Sequence, residues 1–471
     1  MDERGKQAGA GRPNIILINC DDLGYGDIGC YGSKVNRTPA LDWMAAEGIR
    51  FTDFYMASPL CSPSRGAMMT GCYPPRIGFG LFEGRGVLFP GQPVGLNPDE
   101  KTFATILKEQ GYATMHVGKW HCGDQPEFLP IRHGFDGYYG IPYSNDMGRQ
   151  RSHPNRYPPL PLMLDSEVIQ QQPDQAALTE RYVERSVRFI RENRDRPFLL
   201  YLAHMYVHLP IFVPADFLKR ARNGSYGAAV ECVDWAAGVL LDELKRLGID
   251  ENTLVIFTSD NGSRVRGEGG SNGILRGTKA ETWEGGMRLP CVMRWPKGIP
   301  AGRECREVVS SIDFLPTFAR LAGGREPRDR IIDGRDIGPL MAGKPGAGPV
   351  REAFFYYNGN CLDAVRTGKW KLFVGRGGNH SGEGGRQRVR ELYDLENDVG
   401  ETKNVAEAHP DMVAGMLRHV EACCSDIGDD ATGAVGRNVR PSGRVSNPKP
   451  LTEYSPDHPY IIAEYDTDAA G

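Results

Sequence analysis

The sequence predicts an α/β protein: a large, largely parallel or mixed sheet covered by helices on both sides, followed by a smaller antiparallel unit. Short apolar runs rich in β-branched and aromatic residues occur at Asn14–Cys20 (NIILINC), 197–204 (PFLLYLAH) and Thr253–Ser259 (TLVIFTS), and uninterrupted hydrophobicity over this length reads as strands buried on both faces. Helix-length stretches stand between and around them, and strand–helix alternation is what a helix-covered sheet requires. After Asp333 the texture changes to short strands and turns.

The helix candidates are 39–47, 102–110, 176–192, 228–247 and 312–321. The small-residue stretch MAGKPGAGP at 341–349 reads as a linker. Beyond it, 353–357, 362–366, 369–374 and 391–393 are expected to form a small antiparallel sheet, with a helix at 410–423 and a Gly-, Asp- and Pro-rich tail wrapped over the surface as extended chain. A chain of 471 residues can bury a sizeable core. The expected division is 1–345 and 346–471.

With 56 Lys+Arg against 60 Asp+Glu, the net charge of −4 excludes a basic nucleic-acid footprint or a polybasic membrane anchor. No run of 18 apolar residues is present, so no membrane-spanning helix is expected. The opening MDERGKQAGAGRP has no apolar core of a secretory signal, and the eleven cysteines are odd in number and irregularly spaced. The expectation is a reduced, cytoplasmic enzyme; a secreted or periplasmic chain trimmed of its leader would read the same.

Two of the buried strands end alike. NIILINC runs into Asp21-Asp22, and TLVIFTS into Asp260-Asn261-Gly262. Ligands in open α/β sheets bind beyond the carboxyl ends of strands. Three carboxylates and an amide oxygen gathered there suit a hard cation, Ca²⁺ or Mg²⁺; equally, each pair can cap a following helix or turn. Gly24-Tyr-Gly26-Asp-Ile-Gly29 spells a G-x-G-x-x-G dinucleotide fingerprint. Asp21, Asp22 and Asp27 argue against it, because they would repel a pyrophosphate.

The sharpest segment is Cys61-Ser-Pro-Ser-Arg65-Gly-Ala-Met-Met-Thr70-Gly71. It resembles C-x-P-S-R-x-x-x-x-T-G, the signature at which type I sulfatases have their cysteine oxidised to formylglycine. Gly111-Tyr112 through Gly118-Lys119-Trp120-His121 is similar to the second motif of that family, with Lys119 and His121 expected on one side of an extended chain. His204-Met-Tyr-Val-His208-Leu-Pro210 resembles its strand-end histidine segment, in which His208 matches the active-site position and His204 a supporting one. Gly277-Thr-Lys279 through Glu284-Gly-Gly286 supplies a second lysine, and the 311–317 stretch is a further landmark. Gly140-Ile-Pro-Tyr-Ser144-Asn-Asp-Met-Gly148 is especially like arylsulfatase A. Its serine is read either as a sulfate-pocket residue or as a turn residue.

The resemblance covers about 13–405. It implies an alkaline-phosphatase-like fold, hydrolysis of sulfate monoesters, and a maturation enzyme that converts Cys61. It implies one Ca²⁺ held by Asp21, Asp22, Asp260, Asn261 and an oxygen of the modified Cys61. Cys61, Arg65, Lys119, His121, His208 and Lys279 are the implied catalytic set, and Lys119, Ser144, His208 and Lys279 the substrate-binding set. One hydroxyl of a hydrated formylglycine attacks sulfur, and the second releases sulfate by collapse to the aldehyde. Asp260 is expected to activate the first hydroxyl, His208 with Lys279 to protonate the leaving alcohol, and His121 to drive the collapse, with Arg65 and Lys119 orienting the reacting groups. A phosphonate or phosphate monoester hydrolase and a non-catalytic sulfoglycan-binding relative are the alternatives. The expected substrate is a small sulfated carbohydrate, with aryl sulfates also accepted. The substrate rim is expected around 141–156, 264–276 and 358–363, with Arg149, Arg151, His153, Arg264 and Arg266 as anion-gripping candidates.

Overall fold

The computed structural model describes residues 11–150, 156–377 and 386–458. An eleven-stranded mixed sheet forms the centre. Its strands are β1 (Asn14–Cys20), β2 (Ile49–Tyr55), β3 (Ala113–Gly118), β4 (Gly137–Gly140), β5 (Pro161–Leu164), β6 (Glu167–Gln171), β7 (Phe198–Ala203), β8 (Thr253–Ser259), β9 (Arg288–Arg294), β10 (Arg303–Cys305) and β11 (Val309–Ser310). The order across the sheet is β10-β2-β9-β8-β1-β7-β3-β4-β5-β6, with β11 pairing beside β10 on β2.

Strands β8, β1, β7, β3 and β4 are consecutive neighbours and all parallel. β9 runs antiparallel to both β8 and β2, so β2 points the same way as the central five. These six strands therefore end on one edge, as do β10 and β11, which run parallel to β2, and segments leaving that edge carry the chemistry of the motifs.

Alternation along the strands explains the double burial. In β1, Ile15 and Leu17 enter one core while Ile16, Ile18 and Cys20 enter the other. In β8, Leu254 and Ile256 face the first core and Val255 and Phe257 the second. Helices α2 (Cys61–Thr70), α3 (Phe103–Glu109) and α6 (Phe314–Leu321) close the first face through Met68, Phe103, Leu107 and Phe318. Helices α1 (Pro39–Ala46), α4 (Leu178–Glu192) and α5 (Gly224–Arg246) close the second through Leu41, Tyr182, Ile190, Val230 and Leu240. Protein covers both faces, so apolar residues dominate these strands, with Asn19, His116 and Thr258 as buried polar exceptions.

A second sheet follows, four antiparallel strands β12 (Phe354–Asn358), β13 (Cys361–Thr367), β14 (Trp370–Arg376) and β15 (Gln387–Asp394), packed against α7 (Pro410–Asp426). The tail is less passive than expected. Gly443–Arg444 adds a short antiparallel pairing to Val94–Gly95, Arg440 forms a bidentate pair with Glu100, and the Lys449 amide donates to Gln125. Among the described residues no helix is long and apolar enough to cross a membrane.

Candidate active site

Each site residue leaves the same sheet edge. Asp21 and Asp22 follow β1, Asp260 and Asn261 follow β8, Lys119 and His121 follow β3, Ser144 follows β4, and His204 to His208 follow β7. Cys61 opens α2 six residues after β2, and Lys279 lies in the long connection from β8 to β9. All ten of the residues singled out from the metal and catalytic motifs meet in one place.

Asp21, Cys61 and Asp260 present donor atoms within 4.8 Å of one another, and Asp21, Asp22 and His208 form a second such group. The Asp22 amide donates to Asp260 Oδ1 at 3.2 Å and Asn261 Nδ2 to Asp22 Oδ1 at 2.7 Å, so the two strand ends are cross-tied. Asp21 Oδ1 and Asn261 Oδ1 are buried oxygens without a hydrogen-bond donor. Orphaned acceptors in a dry site are costly unless something positive meets them. An all-oxygen set of this kind fits a hard divalent cation.

Three cations ring these carboxylates. Arg65, one helical turn beyond Cys61, donates through Nε to Asp260 Oδ2 at 2.8 Å and through Nη1 to the Lys119 carbonyl at 3.0 Å. Lys119 Nζ pairs with Asp21 and donates to Ser144 Oγ at 3.1 Å. Lys279 Nζ meets Asp22 Oδ2 at 2.8 Å.

Burial sets the electrostatics, and neighbours decide the outcome. Desolvation alone would raise Asp21, but Lys119, then His208, Arg65 and Lys279, outweigh it and hold the carboxyl well below its usual range. Asp260 goes the other way: burial and the charge of Asp21 push it up to about 7 against Arg65 and Lys119. Burial pushes the Cys61 thiol up to about 12, opposed by Lys119 and Lys279.

The two histidines differ in tautomer. His208 Nδ1 lies 2.6 Å from the Leu209 carbonyl and 3.1 Å from Asn145 Oδ1, which assigns its ring proton there and leaves Nε2 toward Asp22 Oδ2 at 3.8 Å. His121 Nε2 lies 3.0 Å from the Leu88 carbonyl, which leaves Nδ1 as a buried lone pair. Burial, helped by Lys119 for His121 and by Lys279 for His208, lowers both.

Cys61, His121, Ser144, His208 and Lys279 open into a cavity of about 290 Å³. A model of the sulfatase family matches residues 13–324. The chain belongs to the sulfatase family. Residues 278–422 also match a C-terminal family described for N-sulphoglucosamine sulphohydrolase. The sulfatase chain is 39% identical over 445 residues to steryl-sulfatase of Homo sapiens, covering 77% of this chain and 76% of the relative. It is 40% identical over 443 residues to arylsulfatase A of Homo sapiens, covering 86% of each. The crystal structure of Ps i-CgsB in complex with k-i-k-neocarrahexaose superimposes with a TM-score of 0.75 at 31% identity, covering 87% of this chain and 92% of that one. The sulfatase is thus an enzyme of the sulfuric ester hydrolase class with the alkaline-phosphatase-like fold.

Several expectations need correction within this sulfatase. Lys119 and His121 do not lie on an extended chain: β3 ends at Gly118, with φ +107°, and His121 has φ +59°, so the backbone turns and sends the two side chains to different partners. The G-x-G-x-x-G glycines serve close chain approach. A Cβ on Gly24 would lie 2.3 Å from the Ser271 carbonyl oxygen, and one on Gly26 would lie 2.6 Å from the Gly273 nitrogen. Asp27 accepts from the Gly24 and Ser271 amides and from Tyr226 Oη, which clamps the Asp21–Asp22 turn to the 263–273 loop and to α5.

The 358–363 loop does not line the cavity; Asn358 donates to the Ala280 carbonyl and Asp363 accepts from Thr282, so it braces the Lys279 segment. Arg149 packs over Tyr454 instead, and Arg151 and His153 lie outside the described residues. Val87, Phe89 and Tyr157 line the cavity and went unnoticed in the sequence.

Proposed function

We propose that this sulfatase hydrolyses a sulfate ester of a carbohydrate, using a formylglycine formed from Cys61 and one bound Ca²⁺. The observation that carries the reading is the convergence of Cys61, at the first position of α2, on Asp21 and Asp260 inside the ring of Arg65, Lys119 and Lys279. Asp21, Asp22, Asp260 and Asn261 would hold the cation, which supplies Lewis-acid stabilisation of a sulfate oxygen. The formylglycine, hydrated, supplies a nucleophile and a route for releasing sulfate.

The chain's own residues then have separable tasks. Three carboxylates and three cationic side chains cancel, so a divalent cation leaves the centre at +2. The relatives named steryl-sulfatase and arylsulfatase A favour sulfate over the phosphate reading. Lys119 and Lys279 would hold sulfate oxygens, with Ser144 fixing the Lys119 ammonium through its 3.1 Å hydrogen bond. Arg65 holds Asp260 in position to take the proton of the attacking hydroxyl. His121, with Nδ1 free of protein donors and its pKa lowered, suits a base. His208 presents Nε2 toward the centre, and a bound anion would favour its protonated form as the acid for the leaving alcohol.

A carbohydrate is favoured over a sterol by the charged and polar lining of the cavity, which includes Gln150, Asp146, Arg264 and Arg266, and by the oligosaccharide in the similar solved structure. The test is turnover by Ca²⁺-loaded protein co-expressed with a formylglycine-generating enzyme. Sulfated hexosamines and galactoses, 4-nitrophenyl sulfate, a steroid sulfate and 4-nitrophenyl phosphate would be compared. Sulfated sugars are expected to lead in kcat/KM. A lead for the steroid sulfate or for the phosphate would overturn the reading.

A further inference from the structure

Beyond the reactive centre, the cavity wall carries a second concentration of positive charge. Arg156, Arg264 and Arg266 line it, against the single carboxylate of Asp146. None of the three belongs to the ring around the Asp21–Asp260 cluster. Arg264 and Arg266 are displayed from a fixed base. Buried Asn272 accepts from the Ser263 amide at 3.0 Å and donates to the Ser263 and Gly277 carbonyls at 3.1 and 2.9 Å. The nearby Glu268 is engaged by its own loop, accepting from the Arg266 amide at 2.7 Å and from Ser263 Oγ at 3.4 Å.

The same wall carries a stacked aromatic pair, with Arg85 4.5 Å over the Phe89 ring. Phe89 and Tyr157 stack with centroids 6.2 Å apart and 16° between planes, and Arg156 lies 5.1 Å over the Tyr157 ring. An aromatic face next to arginine forks is matched by a sugar ring that bears an anion. Guanidinium groups pair with carboxylates and sulfates through two parallel hydrogen bonds. A sterol offers no charge away from its sulfate, and a neutral sugar monosulfate offers none beyond the group being cleaved.

We infer that the substrate is a polyanionic saccharide, in which a second carboxylate or sulfate, on the reacting sugar or its neighbour, is gripped by Arg264 and Arg266 with Arg156 beside it, while the ring lies against Phe89 and Tyr157. This rests on the sulfatase reading of the Cys61 centre and specifies its substrate. Arg264 and Arg266 are then specificity residues, acting on the part of the substrate that does not react.

The test uses converted, Ca²⁺-loaded enzyme and four probes: a monosulfated N-acetylhexosamine, its disaccharide with an adjoining uronate, the methyl ester of that uronate, and a doubly sulfated hexosamine. The free uronate or the second sulfate is expected to raise kcat/KM about tenfold over the neutral counterpart, the scale of two partly exposed ion pairs, and the advantage should shrink with added NaCl. The two arms tell carboxylate from sulfate. In Arg264→Ala/Arg266→Ala the ratio of dianionic to monoanionic kcat/KM should fall toward one, with partial recovery in the double lysine variant. Calorimetric binding of the uncleaved disaccharide and its ester reads the same preference without turnover. Equal binding and turnover of acid, ester and neutral sugar, or a ratio unmoved by the double alanine variant, would overturn the inference. Failure to cleave any sulfate while still preferring the acid in binding would count against the sulfatase reading and leave the anion subsite standing.

Discussion

At Cys61 the unmodified side chain is a poor nucleophile. Burial raises its pKa to about 12, above what Lys119 and Lys279 can offset, so near pH 7 it is a neutral thiol. Protein made without a maturation partner is therefore expected to bind Ca²⁺ yet turn over no sulfate ester, and Cys61→Ser expressed the same way should be equally inert. Mass spectrometry of tryptic peptide 51–65 would track thiol against aldehyde, and activity should scale with the aldehyde fraction; full activity in a wholly thiol sample would refute the assignment. The cation has its own test at Asp21. Losing an outer-shell partner typically weakens a metal about 10–100-fold, so Asp21→Asn should weaken Ca²⁺ by at least about 100-fold, measured by titration after chelation. Because a ligand held only by the folded state stabilises it by about 2.7 kcal/mol at 100 times its Kd, chelation should also lower the melting temperature of the wild type, and Asp21→Asn should lose most of that response. These residues were legible in the sequence because their chemistry permits few substitutes: an ammonium, an imidazole or a carboxylate must stand at a given place. Phe89, Val87 and Tyr157 were not, since a cavity wall asks only for shape and any aromatic in a loop reads alike. The charge of Asp27 spoke against a dinucleotide, but its structural task was not legible, because the two amides and the tyrosine it answers are brought to it only by the fold.

Elements were legible where periodicity and burial agreed. The runs that became β1 and β8 match their observed bounds, since a strand buried on both faces leaves no ambiguity about where apolar character ends. Helix α2 did not announce itself: CSPSRGAMMT carries proline, glycine and serines that lower helix propensity. Pro63 falls in the first turn, where its missing N–H costs nothing, and complete burial of all ten residues overrides the rest. Strand β2, IRFTDFY, has mixed polarity and becomes a strand through its neighbours β9 and β10. The connection carrying Lys279 depends on the second sheet. Lys371 of β14 donates to Glu284 Oε1 at 3.0 Å and to the Thr282 carbonyl at 2.8 Å, and pairs with Glu401 at 2.8 Å, all fully buried. Glu284 is also met by Tyr356 Oη at 2.9 Å, and its pKa is held at about 2 because Lys371, then Arg288 and Arg366, outweigh burial. Removing Lys371 takes from buried Glu401 the cation it pairs with and from Glu284 one of three. Lys371→Met is expected to cost about 3–5 kcal/mol in denaturant unfolding, and Lys371→Met/Glu401→Met to recover part of that. A loss below about 1 kcal/mol in the single variant would mean that this cluster does not tie the second sheet to the Lys279 segment.

For the whole molecule, the layered sheet was predictable because it follows from alternation, while the return of the tail across the 94–125 region was not: pairings such as Arg440 with Glu100 span 340 residues and carry no local signal. The same scale governs how stability responds to pH, because many buried titratable groups act together. His116 and His121 are lowered well below 6.5, and His133 and His204 to about 3, by burial above all. A group with a depressed folded pKa gives stability that is present above the unfolded value and lost as pH falls, so these four favour the folded state more as pH rises toward 6.5. Buried carboxylates away from the cation site have the opposite sign. Desolvation raises Asp27 and Glu401 to about 7 and Asp124 and Asp234 to about 6. Their contribution is present below the unfolded carboxylate range and is lost as pH rises through these values. Four histidines against four carboxylates nearly cancel, so at saturating Ca²⁺ unfolding free energy should be flat between about pH 5.5 and 7. Asp27→Asn removes one proton from the carboxylate side, and its stability should then rise with pH across that window, by up to about 1.4 kcal/mol per pH unit. His133→Gln should tilt the profile the other way. Urea titrations at half-unit pH steps would read both slopes; a steep wild-type profile, or variants that tilt in the same direction, would show that these buried groups do not titrate as their surroundings dictate.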